Sequence, residues 1–258
     1  SIAAPELTGA LSAQFGIPAE HITLGAGSVE VAAQIIHAVA AEGDEVMYAW
    51  RSFEAYPSLV RIAGATPVEV PLDAECRHDL PAMLDAITEK SRLIFICNPN
   101  NPTGTIVGTE ELLSFISAVP SHILLVLDEA YVEYVSDRNH LDTLPLLKRF
   151  ENLVILRTFS KIYGLAGLRV GFGVMNEEVA GQLLKVKDVF NVNALAQGAA
   201  VTALHDQEFL QALGSSLIIG VAVGIVSVAI AFLAAIARRR STLPVGRLDD
   251  LGVILRMV

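Results

Sequence analysis

The chain has 258 residues, 28 Asp and Glu against 18 Lys and Arg, a formal net charge of −10, and 53% apolar residues. An acidic balance without a basic stripe argues against nucleic acid as a partner, and two cysteines, Cys76 and Cys97, exclude a disulfide scaffold and a four-cysteine zinc site. At about 150 residues per domain the length allows one large domain or two modest ones, with core enough to fold without a cross-link or metal.

Ser1 is not followed by a basic segment and an apolar run, so no signal peptide is read, and without an initiator Met the chain is expected to start inside a longer parent. Gly25-Ala-Gly-Ser28-Val29 then leads into a predicted helix, Ser28–Ala41, with a Ser start and a Gly43 stop. Short apolar runs predict strands at Glu45–Ala49, Leu93–Cys97, Ile123–Leu127, Leu153–Leu156 and Val170–Val174. Helices are predicted between them at Pro81–Ala86 and Thr109–Ser117, and after them at Glu177–Lys187. Most of the strands are apolar on both faces, as in a parallel sheet covered by helices. The alternation predicts an α/β fold, one doubly wound layer structure without internal repeats.

After Gly214 the character changes. Leu217–Ala237 is 21 residues without a charge, closed by Arg238, Arg239 and Arg240. As a helix it would be about 32 Å long, the thickness of a bilayer core; a buried core helix is the other explanation. The expected organisation is therefore a domain over 1–212, an apolar helix and possible transmembrane segment over 213–240, and a short tail over 241–258.

Four constellations could carry chemistry. Asn98-Pro-Asn-Asn-Pro-Thr-Gly104 follows a predicted strand, where open α/β sheets bind ligands, and Asn101 would present an amide there; a plain turn is the alternative. Asp128-Glu-Ala-Tyr131 also ends an apolar strand. A carboxylate buried there needs a cation or a metal, and one paired with a protonated ring nitrogen would make that ring a better electron sink. A magnesium ligand is a further option, but no Gly-x-x-x-x-Gly-Lys-Ser/Thr loop accompanies it, and a solvated strand end explains the run equally. In Arg157-Thr-Phe-Ser-Lys161-Ile-Tyr-Gly-Leu-Ala-Gly-Leu-Arg169, small and apolar neighbours favour an uncharged amine able to form a Schiff base. Thr158, Ser160 and Arg169 suit a phosphate, although a surface lysine and an ordinary ion pair would also fit. Ser28 and Val29 open a helix whose free N–H groups favour an anion, a start that is common without any ligand.

Taken together, an amine for an aldehyde, a carboxylate for a pyridinium, an Asn and a Tyr for a phenolic oxygen, and a phosphate cup suit pyridoxal phosphate. On these runs, from about Gly9 to Gln211, the chain resembles fold type I aminotransferases, specifically the histidinol-phosphate aminotransferase family. Trp50-Arg-Ser-Phe-Glu-Ala-Tyr56 resembles its actinobacterial aromatic, or phenylalanine, branch. The resemblance implies the large domain of that fold, a mostly parallel sheet with helices on both faces, working as a homodimer in the cytoplasm in amino-acid biosynthesis.

It also implies roles. Lys161 would bind the cofactor aldehyde and then move a proton, Asp128 would pair with the pyridine nitrogen, and Asn101 and Tyr131 would contact the 3-oxygen. Phe53 stands where the family stacks an aromatic on the ring, with Tyr56 close enough to compete. Ser28, Val29, Ser160 and Arg169 would hold the phosphate with Thr158 nearby, and no metal is called for. The reaction implied is transamination between a 2-oxo acid and either histidinol phosphate or an aromatic amino acid.

The family's N-terminal arm and its C-terminal small domain, with an arginine for the substrate carboxylate, have no counterpart in these runs. Turnover is accordingly expected to be impaired. The alternative is a membrane-tethered or truncated cofactor-binding fragment, anchored through 217–237. With no Lys or Arg over 194–216 and three arginines after the apolar run, the positive-inside rule would put the enzyme-like domain outside the cell, against the cytoplasmic expectation.

Overall fold

A computed structural model describes residues 4–136, 141–206 and 227–228. Of the expected apolar helix only Ser227 and Val228 are described, and both are helical. The rest of that segment and the tail lie outside the described residues. Among the described residues no helix is long and apolar enough to cross a membrane.

The described part up to His205 is an α/β unit. In chain order it runs α1 (Pro5–Phe15), β1 (Ile22–Gly25), α2 (Ser28–Val39), β2 (Glu45–Trp50), α3 (Tyr56–Ile62), β3 (Thr66–Pro71) and α4 (Leu80–Asp85). Then follow β4 (Ser91–Cys97), α5 (Thr109–Ala118), β5 (Leu124–Asp128), β6 (Leu153–Thr158), β7 (Gly171–Met175), α6 (Glu177–Val186) and α7 (Ala194–His205). The seven strands form one mixed sheet in the order β1-β7-β6-β5-β4-β2-β3. Strands β3, β2, β4, β5 and β6 pair in parallel. The predicted strand at Val170–Val174 is β7, which runs antiparallel to β6 and to β1, so the sheet is parallel only in part.

Strand alternation decides which residues reach the site. On β4 and β5, Leu93, Phe95, Cys97, Leu124 and Val126 pack with α2, α3 and α6. Ile94, Ile96, Leu125 and Leu127 face α4 and α5 on the other side. A third cluster joins α1 and α7 to the antiparallel edge through Leu7, Leu11, Phe172 and Ala200. Each fully buried aliphatic side chain contributes about 1.5–3 kcal/mol relative to exposure, so a slip of one residue that exchanged the two faces would be prohibitive. Asp128 therefore continues the row of Leu124 and Val126, and the register sets it opposite Cys97 on β4 and Leu156 on β6.

Candidate active site

The C-terminal ends of β4, β5 and β6, the loop after β2 and the first turn of α2 surround a cavity of about 160 Å³. Its floor is formed by Asp128, Cys97 and Ala130, its sides by Phe53, Asn101 and Tyr131. Lys161, Thr158, Ser160, Arg169, Ser28 and Val29 complete the lining. The structure thus brings all ten residues singled out in the sequence to one place.

Asp128 is 6% exposed. Its Oδ2 accepts the Tyr56 hydroxyl at 2.8 Å and its Oδ1 the Ala130 N–H at 3.2 Å. Burial pushes its pKa above the ordinary carboxylate value, with Glu129 adding to the rise, while the Tyr56 and Ala130 bonds and the Lys161 charge pull it down. Burial, and then the Asp128 charge, raise the Tyr56 phenol well above its usual range. The same two causes push the Cys97 thiol up to about 12, so it lines the cavity as a neutral group, not as a nucleophile.

The two carboxylates of the Asp-Glu pair part company where β5 ends. Glu129 accepts from Arg157 Nη2 at 2.8 Å and Nε at 3.0 Å, and from the Thr143 hydroxyl. It is committed there and does not join Asp128 as a metal ligand.

Lys161 Nζ lies 4.7 Å from the centre of the Tyr131 ring. Arg169 is anchored by two carbonyls and a hydroxyl: Nη2 donates to Ala26 O at 3.3 Å, and Nη1 to Ala166 O at 3.0 Å and Ser160 Oγ at 3.4 Å. No carboxylate among the described residues lies in ion-pair range of Lys161 or Arg169. Gly27 caps α2 at φ 83°, where a Cβ would run into the Arg169 guanidinium, and a Cβ on Gly171 would strike the Ser28 amide. The glycines therefore let Arg169 and the N–H groups of the first turn of α2 converge. Two cations without acidic partners and a helix start make a site for an anion.

Phe53 and Tyr56 differ in location. Phe53 lines the cavity, whereas Tyr56 is 1% exposed and stacked on Phe95 at 4.7 Å between ring centres. The hydrogen bond from Tyr56 to Asp128 went unread in the sequence because it spans 72 positions. The place of Cys97 in the lining follows from its pairing with Asp128 across β4 and β5. A second cavity of about 440 Å³ shares Asn101 and Tyr131 with the first and is otherwise lined by Pro102, Ile106, Tyr134 and Val135, among others.

A family model described as aminotransferase class I and II matches residues 2–218. The aromatic amino acid aminotransferase of Cutibacterium acnes is 48% identical over 209 residues, covering 81% of this chain and 59% of that protein. The aromatic amino acid aminotransferase of Thermobifida fusca is 53% identical over 210 residues, covering 81% and 58%. Histidinol-phosphate aminotransferase from Sinorhizobium meliloti, solved in complex with pyridoxal 5'-phosphate, superposes with a TM-score of 0.78 at 31% identity, covering 83% of this chain and 58% of that one. The chain spans less than three fifths of the length of each of these relatives.

Proposed function

Because the chain belongs to the class I and II aminotransferases, we propose that it serves pyridoxal-phosphate-dependent transamination of an aromatic amino acid with a 2-oxo acid. The observation that carries this is the convergence of Lys161, Asp128 and Arg169 on one cavity, with neither cation in ion-pair range of a carboxylate among the described residues. Pyridoxal phosphate fits these groups: an amine for its aldehyde, a buried carboxylate for its ring nitrogen, and an anion cup for its phosphate. The aromatic substrate, rather than histidinol phosphate, is favoured by relatives of about half identity that carry that name.

When bound, the cofactor supplies an electron sink for the negative charge that develops at the substrate Cα. Asp128 would hold a proton on the ring nitrogen and so deepen that sink. Asn101 and Tyr131 would donate to the phenolic oxygen, Phe53 would cover one ring face, and Arg169, Ser160, Ser28 and Val29 would anchor the phosphate with Thr158 beside them. Lys161 would bind the cofactor covalently and, once released by the substrate, carry the proton away from Cα as general base. The larger adjoining cavity, with Tyr134 and Ile106 on its wall, offers apolar surface to a substrate side chain.

We carry over from the family a homodimer in the cytoplasm. The impaired turnover expected from the unmatched arm and small domain, and the membrane anchor expected through 217–237, have no support among the described residues. The test is borohydride trapping with pyridoxal phosphate, then steady-state turnover of phenylalanine, tyrosine and histidinol phosphate. Trapping at Lys161 and faster turnover of the aromatic acids are expected. Trapping at another lysine removes the reading, and faster turnover of histidinol phosphate reverses the substrate.

A further inference from the structure

Behind the wall of the first cavity lies a buried polar cluster to which the proposed chemistry gives no role, and its central residue, Asn100, also borders the second cavity. Asn100 is 3% exposed, and the cluster also contains Ser52 at 4% and His78 at 2%. The Arg51 carbonyl can only accept, so the Asn100 amide must turn its Nδ2 to it, at 3.1 Å. The same nitrogen donates to Thr103 Oγ1 at 2.8 Å. Oδ1 is thereby left facing the Ser52 hydroxyl at 2.7 Å and His78 Nε2 at 3.2 Å. Both donor hydrogens and both acceptor lone pairs of the amide are used.

That arrangement also fixes the imidazole. An amide oxygen only accepts, so neutral His78 carries its proton on Nε2. Burial pushes the imidazole down to about 4, against the Asn100 amide, the Cys97 carbonyl and the Asp73 charge, which act the other way. It is therefore neutral at physiological pH and works as a fixed donor, not as a switch. The chain of donors continues outward: Thr105 gives its proton to the Cys76 carbonyl at 2.8 Å, so Thr103 donates to Thr105 at 2.7 Å.

Ser52 and Arg51 precede Phe53, and Asn100 precedes Asn101. Phe53 and Asn101 line the first cavity, while none of Arg51, Ser52, His78, Asn100 and Thr103 does. We propose that Asn100 is a positioning residue, whose amide staples the loop after β2 to the loop after β4 and so fixes the separation of Phe53 and Asn101. The staple joins positions 48 apart in sequence, which neither loop could hold by its own backbone bonds. What this does for cofactor binding rests on the proposed function; the coupling of the loops does not.

Two variants of the full chain test it. Asn100→Asp keeps the shape but loses both donors and sets a carboxylate against the Arg51 carbonyl, whereas Ser52→Ala deletes one bond and serves if the first variant fails to fold. Hydrogen exchange of the protein without cofactor, read in segments 50–55 and 98–106, should quicken in both segments together, about tenfold for Asn100→Asp and about threefold for Ser52→Ala. Pyridoxal phosphate affinity, read from quenching of Trp50, the single tryptophan, should fall by similar factors. The visible circular dichroism of the bound cofactor should change, while borohydride still fixes it to Lys161. Exchange that quickens only in 98–106 overturns the proposal, as do two loosened loops with an unchanged dichroism band and affinity. Should the wild-type chain take up no pyridoxal phosphate, the proposed function fails, and the exchange result alone still upholds or overturns the staple.

Discussion

The floor and the cup of the cavity hold charge in opposite ways. The floor is dry: Asp128, Tyr56 and Cys97 are all buried, and the carboxylate is satisfied by a phenol and a backbone N–H, not by a cation. The cup is open: Arg169 is exposed, Ser28 and Ser160 are half-buried, and the positive charge is held by carbonyl oxygens. A charge in the floor is costly and therefore tunable by small changes around it. A charge in the cup costs little and is screened by salt. The floor should accordingly answer to pH and the cup to ionic strength.

The largest effect is expected where the two meet, at Lys161. Lys161→Ala should abolish the borohydride-reducible adduct and lower turnover by about 10⁴-fold, since amine and general base are lost together. Mass spectrometry of the reduced protein checks it; an adduct that persists in the variant assigns the chemistry to another lysine.

Next comes the floor carboxylate. Asp128→Asn should cut turnover by about 10²–10³-fold, in line with the loss of one preorganised charge, and yet leave the apo fold intact. The sign for stability is unusual. Burial raises the folded-state pKa above the ordinary 3.8, so the native state binds this proton more tightly than the unfolded chain. Asp128 thus costs stability progressively as pH rises from about that ordinary value through its folded pKa. Denaturation of apo protein across that range should show a shallower fall for Asp128→Asn than for the wild type. Equal slopes would mean that Asp128 is not the group responsible.

The cup gives a smaller effect of a different kind. Arg169→Ala should weaken pyridoxal phosphate binding by about a hundredfold, and Arg169→Lys by about tenfold because the fork is lost while the charge remains. Affinity measured from low to high salt should fall less steeply in Arg169→Ala than in the wild type. Parallel salt dependences would show that the cup does not hold the phosphate through this charge.

What could be read from the sequence follows the same division. Asp128, Asn101 and Lys161 were legible because polar residues break off apolar runs at strand ends, a local signal. The parallel centre was legible for the same reason, since β4 and β5 are apolar on both faces. The antiparallel edge was not: β1 has only four residues, and nothing in Gly171–Met175 announces its direction. β3 was hidden by Pro67 and Pro71, which an edge strand tolerates. The helices α1 and α7 went unread because Gly9, Gly198 and their many alanines blur the 3.6-residue period. Long-range polar partners left no signal. Tyr56 was weighed only as a stacking aromatic, and Asn100 only as part of a turn, because their partners lie 72 and 48 positions away.

Tyr56 supplies a smaller effect on turnover than Lys161 or Asp128 and the sharpest probe of the floor. Its ring is buried against Phe95 and Tyr48, so Tyr56→Phe keeps the packing and removes one oxygen. Asp128 Oδ2 then loses its 2.8 Å donor, and a hydrogen bond to a charged acceptor is worth about 1.5 kcal/mol or more. Turnover should fall by about tenfold on that scale, with KM nearly unchanged because Tyr56 does not line the cavity. The direction in pH is fixed as well: the phenol favours the ionised carboxylate. Its removal should therefore move the acid limb of the rate profile to higher pH, and the same shift should appear when Asp128 is titrated by carbon NMR without cofactor. Arg169→Ala should leave that limb in place while changing the salt dependence. If Tyr56→Phe lowers turnover but leaves both the limb and the Asp128 titration where they were, the floor is not tuned by this bond, and Tyr56 serves only to pack the core.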